Sequence, residues 1–144
     1  MNNRKAYLID AERQRITNIE IDARDGFCLP SVYKAIGGGC DLIEAAAYTD
    51  NGDCLMVDEE GWRRSDYVFA WDGEVIAGNG ILVGPADEEG YTCDVQSSEL
   101  DCAFKVDWPT PVGFKLTPEL KDELQSEMTV IHNFRISKPN KKKE

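Results

Sequence analysis

Five cysteines (Cys28, Cys40, Cys54, Cys93 and Cys102) and a single histidine, His132, carry the most reactive chemistry in this 144-residue chain. A structural zinc site needs thiolates or imidazoles in pairs, usually two to four residues apart on a tight turn. No two cysteines here are that close, there is no C-x-x-C, and His132 cannot complete a site alone. An odd number of scattered cysteines is also a poor disulfide framework. They read as small buried hydrophobes in a reducing compartment. Nucleophilic catalysis requires a Ser or Cys with a base to activate it. No G-x-S-x-G, H-E-x-x-H or Cys with a nearby His is present. Gly37-Gly38-Gly39 lacks the Lys-Ser/Thr of a phosphate-binding loop and follows a helix instead of opening one. Asp58, Glu59 and Glu60 could in principle form a paired-carboxylate or divalent-metal centre, but adjacent carboxylates on a turn diverge into solvent instead of converging on a cation. No catalytic residue, metal or cofactor is therefore expected.

The remaining chemistry is charge. The net charge is −11, from 27 acids against 16 bases. Residues 1–40 and 108–144 are close to neutral, whereas residues 41–107 hold seventeen acids and only three bases, Arg63, Arg64 and Lys105. Such a field repels phosphate backbones and attracts basic surfaces, which disfavours direct binding to nucleic acid or an anionic membrane. The acids gather at three turns: Asp50 and Asp53; Asp58, Glu59 and Glu60; Asp87, Glu88 and Glu89. If the three turns lie on one edge of a sheet, their carboxylates merge into a negative rim around Trp62, Tyr67, Trp71 and Tyr91, the composition of a protein-binding surface. Charged loops that merely keep a small domain in solution are the competing account. A second kind of site is a small-ligand or nucleotide pocket beside Tyr33 and Asn79, since Asn79 lies between two glycines that allow close approach to the backbone.

The elements that must position these residues are legible in outline. Ala6–Ile9 and Ile16–Ile21 read as a hairpin of β-forming residues. Leu29–Ile36 reads as a short helix, with Pro30 in its first turn and Gly37-Gly38-Gly39 ending it. Asp41–Thr49 and Cys54–Val57 flank Asn51-Gly52, which predicts a hairpin with a type I′ turn, although the alanines of 45–47 also admit a helix. Tyr67–Trp71 and Glu74–Ala77 flank Asp72-Gly73 in the same way. Gly78-Asn79-Gly80 predicts a bulge or bend before a strand at Ile81–Val83, and Tyr91–Val95 reads as another strand. A short helix from Ser98 and a loop around Trp108-Pro109 follow. Thr117 and Pro118 then open an amphipathic helix whose apolar stripe is Leu120, Leu124, Met128 and Ile131. The expected fold class is α+β, mainly an antiparallel sheet of hairpins with a helix after the first hairpin and another near the C-terminus. Residues 1–136 form one domain in this reading, and residues 137–144, with Lys141-Lys142-Lys143, a disordered basic tail. No apolar run approaches the roughly 20 residues of a membrane span, and the polar start is unlike a signal peptide. The expected location is the cytoplasm.

Tyr33-Lys34-Ala35-Ile36-Gly37, Asp58-Glu59-Glu60-Gly61 and Ile76-Ala77-Gly78-Asn79 through Gly84 resemble a family of small uncharacterised domains carried by bacteriophages, plasmids and mobile elements. The resemblance covers Ala6 to Gly84, and Glu88–Glu144 reads as an extension. It implies an accessory protein acting in the cytoplasm of a bacterial host. With the acidic middle segment, it leads to the expectation of a non-enzymatic interaction protein. Its carboxylates would occupy the place of phosphates on a basic host protein, as a nucleic-acid mimic or anti-defence factor does.

Overall fold

The computed structural model describes residues 3–24 and 28–126. Its frame is a five-stranded antiparallel sheet. β1 (Asn3–Asp10) and β2 (Arg15–Asp22) form the first hairpin, longer at both ends than the apolar runs alone indicate. Helix α1 (Leu29–Ile36) follows and stops where predicted, with the Gly37 N–H donating to the Tyr33 carbonyl from a left-handed backbone (φ 78°). β3 (Ile43–Tyr48) and β4 (Cys54–Asp58) form the second hairpin, so the alanine-rich segment is strand and not helix.

The next hairpin belongs to a separate sheet. β5 (Val68–Trp71) and β6 (Glu74–Ala77) pair across Asp72-Gly73, both at positive φ as a type I′ turn requires. At Gly78-Asn79 the chain bends and returns to the first sheet as β7 (Gly80–Val83), which inserts between β1 and β4. After α3 (Glu99–Lys105), the two-residue β8 (Val106–Asp107) completes the smaller sheet, ordered β6-β5-β8. The larger sheet runs β2-β1-β7-β4-β3. This mainly antiparallel arrangement with four short helices is the α+β class that the hairpin signals predict.

Three apolar clusters join these layers. On one face of the larger sheet, Val32 and Ile36 of α1 pack over Ala6, Ile21, Ile81 and Val83. On the other face, Tyr7, Ile9, Leu55, Val57 and Leu82 meet Phe69, Trp71 and Ile76 of the smaller sheet and Cys102 of α3. The outer face of the smaller sheet, through Val68, Val75 and Ala77, is covered by Leu116, Leu120 and Leu124. The last two belong to α4 (Pro118–Ser126), whose Thr117 hydroxyl accepts the Leu120 N–H at 3.1 Å as the expected cap. Met128 and Ile131 of the predicted stripe, and the lysine-rich tail, lie outside the described residues.

Three local expectations differ from the structure. At Asn51-Gly52 only Gly52 has a positive φ (94°), so the turn is not type I′. Thr49 reorganises it: the Gly52 N–H donates to the Thr49 carbonyl, and the Asp53 N–H to the Thr49 hydroxyl. Asp58–Gly61 is less a turn than the entry to α2 (Gly61–Arg64), a single helical turn packed so closely that a Cβ on Gly61 would lie 2.2 Å from the Ala77 carbonyl oxygen. Tyr91–Val95 is not a strand. Only Thr92 bridges, to Ala86, because this segment spends its hydrogen bonds on local partners and on Lys5 of β1.

The face-to-face layering depends on Gly80, where a Cβ would come within 2.8 Å of Phe69 Cζ and 3.1 Å of Leu55 Cδ1. Gly80→Ala is expected to destabilise the fold by about 1–3 kcal/mol, measured as a lower midpoint in guanidinium unfolding. An unchanged midpoint would mean that the layers part without cost.

Candidate functional site

β4 decides how the acidic turns are distributed. Asp50 and Asp53 precede it, Asp58 is its last residue and Glu59 and Glu60 follow, so these two groups lie at opposite ends of a strand roughly 14 Å long at about 3.4 Å per residue. β7 runs antiparallel to β4, with Cys54 opposite Val83, so the chain leaving β7 towards Asp87 emerges beside Asp50. A Cβ on Gly52 would lie 3.3 Å from Pro85 Cβ. The single negative rim expected from the three turns is therefore not formed. The turns at 50–53 and 87–89 share one pole, and 58–60 occupies the other.

At that second pole the charges are compensated. The Asp58 carboxylate is buried, accepts the Glu60 N–H at 2.9 Å, and lies 3.3 Å from Arg64 Nε in an ion pair not aligned as a hydrogen bond. Arg64 also donates to the Gly39 carbonyl at 2.6 Å and to Asp41 at 2.7 Å, tying the loop after α1 to α2. Glu60 pairs with Arg63 and Arg64, and the Arg63 guanidinium holds its carboxyl below the usual range. Of the predicted partner-binding residues here, Glu59 alone is exposed and, among the described residues, without an ion pair. Asp58 and Glu60 hold the fold together.

The Tyr33–Asn79 pocket also needs correction. Asn79 uses both ends of its amide on backbone, accepting the Ala11 N–H at 2.8 Å and donating to the Ile36 carbonyl at 3.3 Å. Asn79 does line a cavity of about 260 Å³, together with Asp10, Arg13, Gly37, Arg64 and Tyr67. Tyr33 is not on its wall, because it packs into the apolar cluster beneath α1. The two residues share a neighbourhood of the sequence pattern but not a site.

The first pole is built around Asp53, which is fully buried. Its carboxylate accepts the N–H of Gln96 at 2.8 Å, the N–H of Ser97 at 2.7 Å and the Ser97 hydroxyl at 2.6 Å. The buried Tyr7 hydroxyl, its pKa raised first by desolvation, donates to the Ser97 carbonyl at 3.0 Å. Asp53 is thus a clasp for the segment leading into α3, and not a partner-binding group. Ser98 next caps α3 by accepting the Asp101 N–H at 3.0 Å.

Around this clasp, Asp50, Asp87, Glu88, Glu89, Asp94, Glu99 and Asp101 are all exposed, and none has an ion pair among the described residues. Nearby cations are used otherwise: Arg4 Nε donates to the Thr92 carbonyl, and Lys105 faces Asp72. The same segments expose Tyr48, Tyr91, Leu100 and Phe104, the last 79% exposed. A depression of about 290 Å³ between the β3–β4 turn and α3 is bordered by Asp50, Asn51, Trp71, Asp101 and Phe104. Of the aromatics expected at the centre of the rim, Trp71 is buried at the back of that depression, Trp62 and Tyr67 pack against the core clusters, and only Tyr91 is exposed. The contribution of α3 was missed. Its signal was the Ser98 cap followed by two acids, with Leu100 and Phe104 four residues apart on one helix face.

Among the described residues no group of three or more His, Cys, Asp or Glu side chains could hold a metal ion, and no helix is long and apolar enough to cross a membrane. Cys40, Cys54 and Cys102 are buried, and desolvation pushes their pKa values up, that of Cys102 to about 12. Such thiols stay protonated and unreactive.

Asp53→Ala strands the buried N–H and hydroxyl of Ser97 and the half-buried N–H of Gln96, so a loss of about 3 kcal/mol or more is expected. Urea unfolding measures it, with Asp53→Asn losing less because one acceptor oxygen remains. In the native protein Cys102 should resist alkylation at pH 8, and Asp53→Ala should speed its labelling as α3 loosens. Rapid labelling of wild-type Cys102 would contradict the packing described.

No curated protein and no solved structure matches the chain significantly. A family model described as Domain of unknown function (DUF3846) matches residues 4–105, from β1 through α3 and well beyond the Gly84 limit of the sequence resemblance. The matched span contains the larger sheet, the Asp53 clasp and the whole acidic pole, and leaves β8 and α4 outside it. On that span the chain belongs to the DUF3846 family, a domain of unknown function.

Proposed function

We propose that this protein is a non-enzymatic interaction domain whose acidic pole binds a basic protein surface. One observation carries the reading. Seven exposed carboxylates without ion pairs among the described residues come from the β3–β4 turn, the 85–97 loop and the start of α3, and these same segments expose Tyr48, Tyr91, Leu100 and Phe104. Uncompensated like charges gathered at one place repel one another and weaken the fold, so a partner that neutralises them gains that energy back. The apolar residues among them supply the area that an interface needs at its centre. Motifs such as Tyr33–Gly37 and Ile76–Gly84 support an origin in a bacteriophage, plasmid or other mobile element. In that setting the partner is a basic host protein, one that ordinarily binds nucleic acid, and the carboxylates stand in for phosphates.

The test is affinity capture from a bacterial lysate with the wild-type chain and with the triple variant Glu88→Lys, Glu89→Lys, Asp101→Lys. The expected outcome is a basic protein retained by wild type at low salt. It should be lost from the variant and lost near 1 M salt, where the Debye length falls to about 3 Å. Phe104→Ala should weaken capture without altering its salt dependence. Equal capture by wild type and the charge-reversed variant would overturn the reading.

A further inference from the structure

β3 is an edge strand of the larger sheet and β6 an edge strand of the smaller one. Where the two edges approach, the layers leave a groove of about 250 Å³, bordered by Glu44, Ala46, Val57, Trp62, Glu74 and Ile76. The Glu59 N–H donates to the Leu42 carbonyl at 2.9 Å, and groups alternate sides along an antiparallel ladder. Ile43 and Ala45 therefore turn their N–H and C=O groups away from β4, towards the open edge. Natural edges are commonly defended by Lys or Pro; β3 reads Ile-Glu-Ala-Ala-Ala-Tyr and has neither.

Arg63 and Arg64 are taken up by Glu60, Asp41 and Asp58, and the charges left beside this edge have one sign. Glu44, Glu59 and Glu74 are exposed, and none has an ion pair among the described residues, whereas Asp58 is already engaged by Arg64. Trp62 adds an indole of the kind that attracts ammonium and guanidinium groups. A second copy of the chain pairing through β3 would bring its own Glu44 and Glu59 against this negative border, and like charges across a strand pair are unfavourable. The register shift between Ala45 and Ala47 limits the length that can pair.

We propose that the β3 edge takes a short extended segment of another protein with Lys or Arg at alternate positions, added as a sixth strand beside Ile43 and Ala45. Strand addition draws its affinity from main-chain hydrogen bonds and its selectivity from every second side chain. The cationic side chains lie over Glu44, Glu59 and Glu74, and the intervening ones face the α1 side of the sheet. This surface lies at the end of β3 remote from Tyr48 and the Asp50 turn, so it stands or falls independently of the acidic pole.

The probe is an acetylated and amidated peptide, Lys-Val-Lys-Val-Lys-Val, titrated into the isotope-labelled full chain and followed by amide NMR. Expected are shifts at residues 43–47 and 59–62, with slowed hydrogen exchange at Ile43 and Ala45. The double variant Glu44→Lys, Glu74→Lys should weaken binding about tenfold or more, and the peptide with Glu in place of Lys should not bind. Ala45→Pro removes an outward N–H and should abolish binding while the β3–β4 ladder persists; if that variant fails to fold, the charge variant decides. Shifts confined to Asp50 and α3 would overturn the proposal, as would undiminished binding by the charge variant. So would slow exchange at Ile43 and Ala45 before any peptide is added, because the edge would then be covered by the chain itself or by a second copy.

Discussion

The buried carboxylate of Asp53 is the interaction on which the molecule's surface depends. It sits at the end of the β3–β4 hairpin, yet all three of its donors come from Gln96 and Ser97, more than forty residues later. Burying a carboxylate is costly unless its oxygens are hydrogen-bonded, and backbone N–H groups satisfy that need without bringing in a counter-charge. The clasp fixes the segment entering α3, which sets Cys102 against the core and brings Glu99, Leu100, Asp101 and Phe104 beside Asp50. An irregular stretch with one bridge, at Ala86 and Thr92, is thereby anchored at its far end.

The strong negative charge of the middle segment is divided by β4 into two populations with different physical roles. At the Asp58 end, Arg63 and Arg64 make five contacts to four groups on two chain segments, Gly39 and Asp41 on one and Asp58 and Glu60 on the other, and the acids there act as internal partners. At the Asp50 end Arg4 donates to the backbone carbonyls of Thr92 and Asn3 instead, and the carboxylates remain solvated near exposed apolar side chains. Two of the three bases in residues 41–107 are thus spent at one pole. The asymmetry of the molecular surface follows from where α2 places those two arginines, not from the acidic residues themselves.

Edge strands give the larger sheet a second kind of incompleteness. β2 and β3 both end it, but β3 is short, rich in alanine and bordered by the groove towards β6. Backbone groups that face solvent lose little in the isolated protein, and they are available to any extended segment whose side chains suit Glu44, Glu59 and Glu74. The acidic pole and the β3 edge ask for the same sign of partner by different means, one through side chains on loops and a helix, the other through the main chain.

Much of the local structure was legible from residues alone, because its causes are local. Asp72-Gly73 takes the turn that its φ preferences demand, Pro30 and the triple glycine bracket α1, and Thr117 caps α4. Where a neighbour in the chain offered a better bond, as Thr49 did to Asp53 and Gly52, the turn type changed while the hairpin survived. What no local rule could reveal was which acids would meet. Asp53 and Asp50 are three residues apart, but one is a buried clasp and the other a solvated charge. Asp58 looks like its exposed neighbour Glu59 and is instead an internal partner of Arg64. Those assignments depend on strand order and on the end of β4 from which each turn emerges. They arise from long-range packing, so they belong to the tertiary structure alone.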